Sequence, residues 1–300
     1  MKEFKSGFIA VVGRTNVGKS TLLNALVGQK LSIVSDKPQT TRNNIRLIRT
    51  TDSSQMVFID TPGFHKPKSK LSSFMLESAG SSVKDVDLVL FLVEEDIKIG
   101  RGDSMLIEKL KDVDVPVILV INKIDKVPKE ELLAKIALYQ KYDFIDEIVP
   151  VSALKDENID SLVEVIEQYL PEGPMFFPED MITDRAERFV VSEIVREKAL
   201  RYLQMEIPHG IAVEVMAMKE REDGSIIDID INIYCEKKSH KGIIIGKGGE
   251  MLKRIGTSAR RDIESMLDSK VNLNLWVKVR ESWRDKAFDL KELGYSEIEQ

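Results

Sequence analysis

The stretch GRTNVGKS at 13–20 limits what this chain can fold into more than any other. It fits G-x-x-x-x-G-K-[ST], follows the apolar run FIAVV (8–12) and leads into a helical pattern. In that order, strand, glycine loop and helix, backbone N–H groups can wrap a phosphate and the helix N-terminus adds a favourable dipole. Further apolar runs at 56–59 (MVFI), 88–93 (LVLFLV), 115–121 (VPVILVI) and 147–151 (EIVPV) read as buried strands. Helical patterns such as SAGSSVKDV and NIDSLVEVIEQYL separate most of them. Strands apolar on both faces and spaced by helices imply an α/β unit with a mostly parallel sheet.

The loop residues Gly13, Arg14, Thr15, Asn16, Val17, Gly18, Lys19, Ser20 and Thr21 are assigned to a nucleoside polyphosphate. Lys19 bridges the β- and γ-phosphates in this reading, and the Ser20 hydroxyl ligates Mg²⁺. The loop alone does not separate GTP from ATP. The tetrapeptide Asn122-Lys123-Ile124-Asp125, ending a strand, does. A carboxylate at Asp125 accepts two hydrogen bonds from guanine N1–H and the 2-amino group, a donor pair adenine lacks. Ser152 and Ala153 follow the last strand, with the Ala153 N–H placed to read guanine O6. Ligands bind at the carboxyl ends of strands in such sheets, which is where all these segments fall. Asp60-Thr61-Pro62-Gly63 also ends a strand, so Asp60 is expected to hold Mg²⁺ through water and Gly63 to touch the γ-phosphate. In DKPQTTRNN, Thr41 is the chosen Mg²⁺ ligand, with Thr40 the alternative. The catalytic set is thus Lys19, Thr41, Asp60 and Gly63. Phe64 follows where a water-orienting glutamine stands in GTPases of the Ras kind, so unassisted hydrolysis should be slow.

At 300 residues the chain is long enough for two domains, and PEGPMFFPED (171–180), with three prolines, breaks it. The expected division is 1–170, a linker at 171–182, and 183–300. Beyond the break the order is a helix at 185–203, strands IAVEVMAMKE and IIDIDINIYCE around Glu222-Asp223-Gly224, a glycine loop between helices, a helix to Leu267 and strand VNLNLWVKV. The first helix is read as apolar on one side (Phe189, Val190, Ile194, Val195) and charged on the other. Residues 171–300 hold 21 basic and 25 acidic residues, yet 237–261 hold eight basic residues and only Glu250 acidic. Those cations surround a second glycine cluster, IIIGKGGEMLKRIG at 243–256, which lacks the Gly-Lys-Ser/Thr ending. A basic face on a chain of net charge −6 favours oriented binding of a polyanion. Ile243, Ile244, Ile245, Met251, Leu252 and Ile255 are read mostly as core, some of them flanking the groove. Trp276 and Trp283 are read as packing anchors.

These residues resemble the translation-factor-related P-loop GTPases, and the chain as a whole resembles the Era family within the TrmE-Era-EngA-like branch. The likeness runs through GRTNVGKS, PQTTR, DTPG, NKID, SAL, FPEDMITD, EIVREK, IIIGKGG and LWVKV. Thr15 departs from the family's usual proline, which touches loop stiffness rather than a phosphate-contacting group. The resemblance implies a GTPase domain followed by an α+β, bacterial-type (type II) KH domain whose Gly246-Lys247-Gly248-Gly249 loop clamps single-stranded RNA. It implies binding near the 3′ end of 16S ribosomal RNA and a role in 30S subunit assembly. Lys238, Lys241, Ile245, Lys253, Arg254 and Arg261 join the loop as RNA-binding candidates. GTP or GDP and Mg²⁺ are the implied ligands. Asn16 matches an asparagine that ligates K⁺ in this branch, although an asparagine that caps the loop accounts for it equally.

A rival reading keeps the GTPase but gives the KH-like module a protein or membrane surface instead of RNA. A nucleotide kinase is contradicted by NKID. Single Cys235 forms no internal disulfide, and His65, His209 and His240 lack metal-ligand spacing. No run approaches the ~20 apolar residues of a membrane span. The expectation is a cytoplasmic monomer, with peripheral contact on the inner face of the cell membrane.

Overall fold

Strand β1 (Lys5–Gly13) is buried along nearly its whole length, as its apolar run requires. The computed structural model describes residues 3–34, 37, 42, 45–60, 86–96 and 98–295. Within these the chain divides into two compact units, one running through Asp184 and the other beginning at Arg185.

In the first unit, β1 lies between β3 (Ser54–Asp60) and β4 (Leu88–Val93), both parallel to it. β5 (Val117–Ile121) and β6 (Glu147–Pro150) extend the parallel sheet beyond β4. One edge strand was not read from sequence: β2 (Ile45–Thr50) pairs antiparallel with β3, giving the order β2-β3-β1-β4-β5-β6. Helices α1 (Lys19–Val27), α2 (Arg101–Leu110) and α3 (Lys129–Tyr139) lie between strands, and α4 (Ile159–Tyr169) follows the last of them. Phe91, Leu119 and Tyr139 lie in the core on one side of the sheet. The register brings Gly13 beside Leu92, Val11 beside Asp60, and Val93 beside Ile121. Loops leaving β1, β3, β4, β5 and β6 therefore emerge along one edge. The helical reading of SAGSSVKDV lies, but for Val86, outside the described residues.

The proline-rich segment expected as a linker is strapped to this first unit. Gln55 Oε1 accepts from the Phe176 and Phe177 N–H groups at 2.7 and 2.9 Å, and Gln55 Nε2 donates to Phe177 O at 2.9 Å. Ile48 N donates to Ile182 O at 2.9 Å, and Phe176 packs on Phe8 with ring centroids 5.1 Å apart. Prolines forbid a helix here, but a side-chain amide meets the backbone groups they leave unpaired.

The second unit has a three-stranded sheet, β7 (Ala212–Glu220), β8 (Ile227–Cys235) and β9 (Val271–Val279), with β8 central. β7 and β8 are antiparallel and meet at a turn where Gly224 has φ +68°, while β8 and β9 are parallel. Ile229, Ile231, Ile233 and Cys235 face a core shared with Ile244, Ile255, Ala259 and Ile263. The core helix α5 (Glu187–Tyr202) departs from the two-sided reading, since it is buried almost all round, charges included. Arg196, fully buried, donates Nε and Nη2 to the two oxygens of Glu193 at 2.7 and 2.5 Å. Lys198 donates to Glu197 at 2.8 Å and also pairs with Asp262. Paired in this way, the charges can leave water.

The tryptophans part company. Trp283 is fully buried, donates to Gly210 O at 2.9 Å and stacks on Tyr295. Trp276, read as a packing anchor, is 47% exposed. Along β9 the odd positions Val271 and Val277 are buried, so a period of two turns Trp276 outward with Asn272 and Lys278. No helix among the described residues is long and apolar enough to cross a membrane.

Candidate functional site

The phosphate loop leaves β1 at Gly13 and enters α1 at Lys19. A Cβ at Gly13 would lie 2.8 Å from Leu92 O, so the turn out of the strand admits only glycine. Gly18 has φ +98°, and a Cβ there would lie 2.3 Å from Asn122 Nδ2. Backbone conformation and packing both select glycine at that position. Lys19 is 7% exposed and donates Nζ to Gly13 O at 3.1 Å and Arg14 O at 2.9 Å. Burial lowers its ammonium to about 8, opposed by the charge of Asp60. Thr15, Ser20 and Thr21 are partly exposed, Val17 is buried, and Asn16 is exposed with φ +69°.

Asn122 ties the base loop to the phosphate loop. Its Nδ2 donates to Val17 O at 2.9 Å, and its Oδ1 accepts from Lys123 N at 2.8 Å and Ala153 N at 3.1 Å. The Ala153 N–H, expected to face guanine O6, is thus engaged by Asn122 in this structure. Lys123, at φ +66°, donates to Asn16 O at 2.8 Å and pairs with Glu94. Asp125 is exposed and accepts from the buried Ser152 hydroxyl at 2.5 Å. Ile124, partly buried, joins the core cluster behind β5. Arg14 points away from a phosphate role, to Asp103 at 2.7 Å.

Asp60, fully buried, accepts from the Ser32 hydroxyl at 2.9 Å. Asn24 on α1 fixes Ser32: its Oδ1 accepts from Ser32 N at 2.8 Å and its Nδ2 donates to Ser32 O at 2.7 Å. Sequence reasoning missed both residues, and the one signal was an asparagine amid the leucines and alanine of α1. Thr40, Thr41, Thr61, Pro62, Gly63 and Phe64 lie outside the described residues.

In the second unit, α6 (Lys238–Ile245) and α7 (Glu250–Leu267) flank the second glycine loop, as expected. Gly246 has φ +76°, and a Cβ there would lie 2.7 Å from Met251 Cβ. Gly248 and Gly249 have φ +60° and +84°, and a Cβ on either would meet no atom within 4 Å, so their backbone faces open space. Lys247, Lys238 and Lys241 are exposed, and Ile245 is partly buried. Of the isoleucines around the loop, Ile244 and Ile255 are core and Ile243 is half exposed.

Lys253, Arg254 and Arg261 line a groove of about 370 Å³ together with Tyr202, Glu250, Thr257 and Ser258. The Arg254 guanidinium sits over the Tyr202 ring, 4.4 Å from its centroid. None of residues 246–249 lines this groove, so the cations near the loop serve two surfaces. Tyr202, Thr257 and Ser258 went unread, although 250, 253, 254, 257, 258 and 261 fall on one helical stripe opposite Ile255, Ala259 and Ile263.

Comparison with known proteins places both units. Residues 8–123 match the family model described as 50S ribosome-binding GTPase, and residues 206–284 match the KH domain. The chain is 59% identical over 295 residues to GTPase Era of Clostridium botulinum, covering 98% of this chain and 99% of that protein. GTPase Era of Clostridium kluyveri is 57% identical over 291 residues, covering 97% and 99%. Two solved structures each superpose with TM-score 0.93 at 41% identity, covering 98% of this chain and 100% of theirs. One is Era in complex with MgGDPNP and nucleotides 1506–1542 of 16S ribosomal RNA. The other is a variant of Aquifex aeolicus Era bound to GDP.AlF4-. With identity near three-fifths over almost its entire length, and both units matched in order, the chain belongs to the Era family of GTPases.

Proposed function

We propose that this chain is a GTP-hydrolysing switch that binds 16S ribosomal RNA near its 3′ end through the KH unit and acts in assembly of the 30S subunit. The observation that carries it is the pairing of two differently built glycine loops in one chain. One is cross-locked by Asn122 to a guanine-reading segment, and the other opens its backbone between α6 and α7.

The residues present fit GTP and Mg²⁺. Gly13 and Gly18 leave no room for a Cβ where the loop would close on phosphate. Ser20 and Asp60 offer hard oxygens, a hydroxyl and a carboxylate, which suit Mg²⁺. When bound, the ion withdraws charge from the β- and γ-phosphate oxygens. Lys19 adds a positive charge beside the same oxygens, Asp125 selects guanine, and Asn122 and Lys123 hold the two loops in register. Thr41 and Gly63 complete the catalytic set, and Asn16 either ligates K⁺ or caps the loop. We take the chain as a GTPase unit through Asp184, which includes the 171–182 segment, and a KH unit from Arg185, and place it in the cytoplasm as a monomer, with membrane contact only peripheral.

The Gly246–Gly249 loop is assigned to the RNA backbone, with Lys238, Lys241, Ile245 and Lys247 beside it. Replacing Lys247 and Gly248 together by aspartate sets two negative charges against RNA phosphates and leaves the nucleotide site untouched. Titration with a small-subunit RNA fragment should then show no binding at moderate salt, while a fluorescent GDP analogue binds as to the parent chain. RNA binding at parental strength would place the RNA site elsewhere on the molecule.

A further inference from the structure

Arg14 stands in the phosphate loop, yet its side chain is bound elsewhere. Its Nε donates to Asp103 Oδ1 at 2.7 Å, and its Nη2 lies 3.6 Å from Glu94 Oε2. Asp103 is in the first turn of α2 and is fully buried. A helix N-terminus repels a guanidinium, because its free N–H groups carry partial positive charge. The carboxylate of Asp103 is what makes the contact favourable.

Gly102 gives Arg14 its path: a Cβ there would lie 2.6 Å from Arg14 Cδ and 2.9 Å from its Cγ. Gly102 is not among the glycines with positive φ, so space rather than backbone freedom explains it. Glu94, just past β4, shares its carboxylate between two cations. One is Arg14; the other is Lys123, which also donates to Asn16 O at 2.8 Å. Meanwhile the Arg14 carbonyl receives Lys19 Nζ at 2.9 Å. A continuous chain of contacts thus runs from α2 through Arg14 to Lys19, and from Glu94 through Lys123 to the other side of the loop.

We infer that Asp103 and Glu94 are positioning residues for the nucleotide site, acting through Arg14 and Lys123 to hold the 14–16 backbone that aligns Lys19. The inference rests on the GTPase reading. It assigns work to Arg14 that a phosphate contact does not explain, and it makes α2 a lever on nucleotide retention.

Release of a fluorescent GDP analogue, followed by stopped flow after mixing with excess GDP, tests it. Asp103→Ala and Arg14→Ala should each speed release roughly tenfold, the size expected for losing one charge-assisted hydrogen bond. If Asp103 acts through Arg14, the double variant should release no faster than either single one. Asp103→Asn, which keeps an acceptor without charge, should fall between, and Glu94→Gln should also speed release should Asp103→Ala fail to fold. Lys111→Ala, at the exposed end of the same helix, should match the parent. A lowered melting temperature with parental release rates would reduce Asp103 to a fold-stabilising residue and overturn the inference. Additive effects in the double variant would overturn the route through Arg14. Failure of the parent chain to bind the GDP analogue would instead sink the GTPase reading itself.

Discussion

Raising the pH from 7 to 9 should weaken nucleotide binding through Lys19. Burial lowers its ammonium to about 8 in the free protein, against 10.5 for an ordinary lysine, with Asp60 opposing the shift. A polyphosphate at the loop favours the charged form, so the bound-state value lies above the free one. Linkage then fixes the sign. Below pH 8 the lysine is protonated in both states and affinity is level; above it, binding must take up a proton and affinity falls. At pH 9 about one free molecule in eleven keeps the proton, a loss of roughly tenfold or ~1.4 kcal/mol relative to pH 7. The folding consequence runs the other way. A buried charged lysine costs stability below pH 8, and that cost fades as pH climbs from 8 toward 10.5. Titration of a fluorescent GDP analogue at pH 7, 8 and 9, on the parent chain and on Lys19→Ala, separates this from ionisation of guanine, which affects both proteins alike. The variant should bind more weakly with a flatter pH profile. Profiles of equal slope in the two proteins would refute the argument.

Three further outcomes follow from the same geometry. Asp125→Asn should move preference from GTP toward xanthosine triphosphate, since an amide donates where the carboxylate accepted, with a loss of roughly 1.5–3 kcal/mol for guanine in a nucleotide titration. GTP turnover should be faster in KCl than in NaCl at equal ionic strength if Asn16 ligates K⁺, and equal rates would leave it a loop cap. Arg196→Met strands Glu193 inside the second unit and should cost about 3–5 kcal/mol, whereas pairing it with Glu193→Leu should recover most of the loss. Both tryptophans lie in that unit, so their fluorescence in a urea titration reads its unfolding without a signal from the first.

What was legible in the sequence were the elements whose residue types admit few conformations. GRTNVGKS between an apolar run and a helix left little choice, because Gly13 and Gly18 occupy places where a Cβ collides. Alternation in IIDIDINIYC gave β8 its two faces. β2 was hidden because IRLIRT mixes arginines with apolar residues. The structure resolves that mixture at a sheet edge, where Arg49 reaches Leu26 O at 2.6 Å. Charges in α5 misled for a related reason: a periodic charge normally marks a wet face, and only a tertiary partner such as Asp262 for Lys198 reveals a buried one. Asp103 and Ser32 were invisible because their roles lie in partners 89 and 28 positions away.

The two glycine loops use the same residue for opposite ends. At Gly18 the positive φ is enforced by neighbours, with Asn122 packed where a side chain would go, and Asn122 in turn binds Val17 and Ala153. Such a cradle is rigid before any ligand arrives, which suits a small polyanion that must be held in one pose beside a buried lysine. At Gly248 and Gly249 the positive φ faces open space, and a groove in the same unit is lined by arginine, lysine and tyrosine from outside the loop. An open backbone flanked by long cations can follow a chain of phosphates without fixing any one of them closely, and stacking surfaces such as Tyr202 under Arg254 tolerate many bases. On the proposed reading, glycine marks a phosphate-binding turn in both units, and the packing around it separates a nucleotide held in one pose from a strand that is gripped along its length.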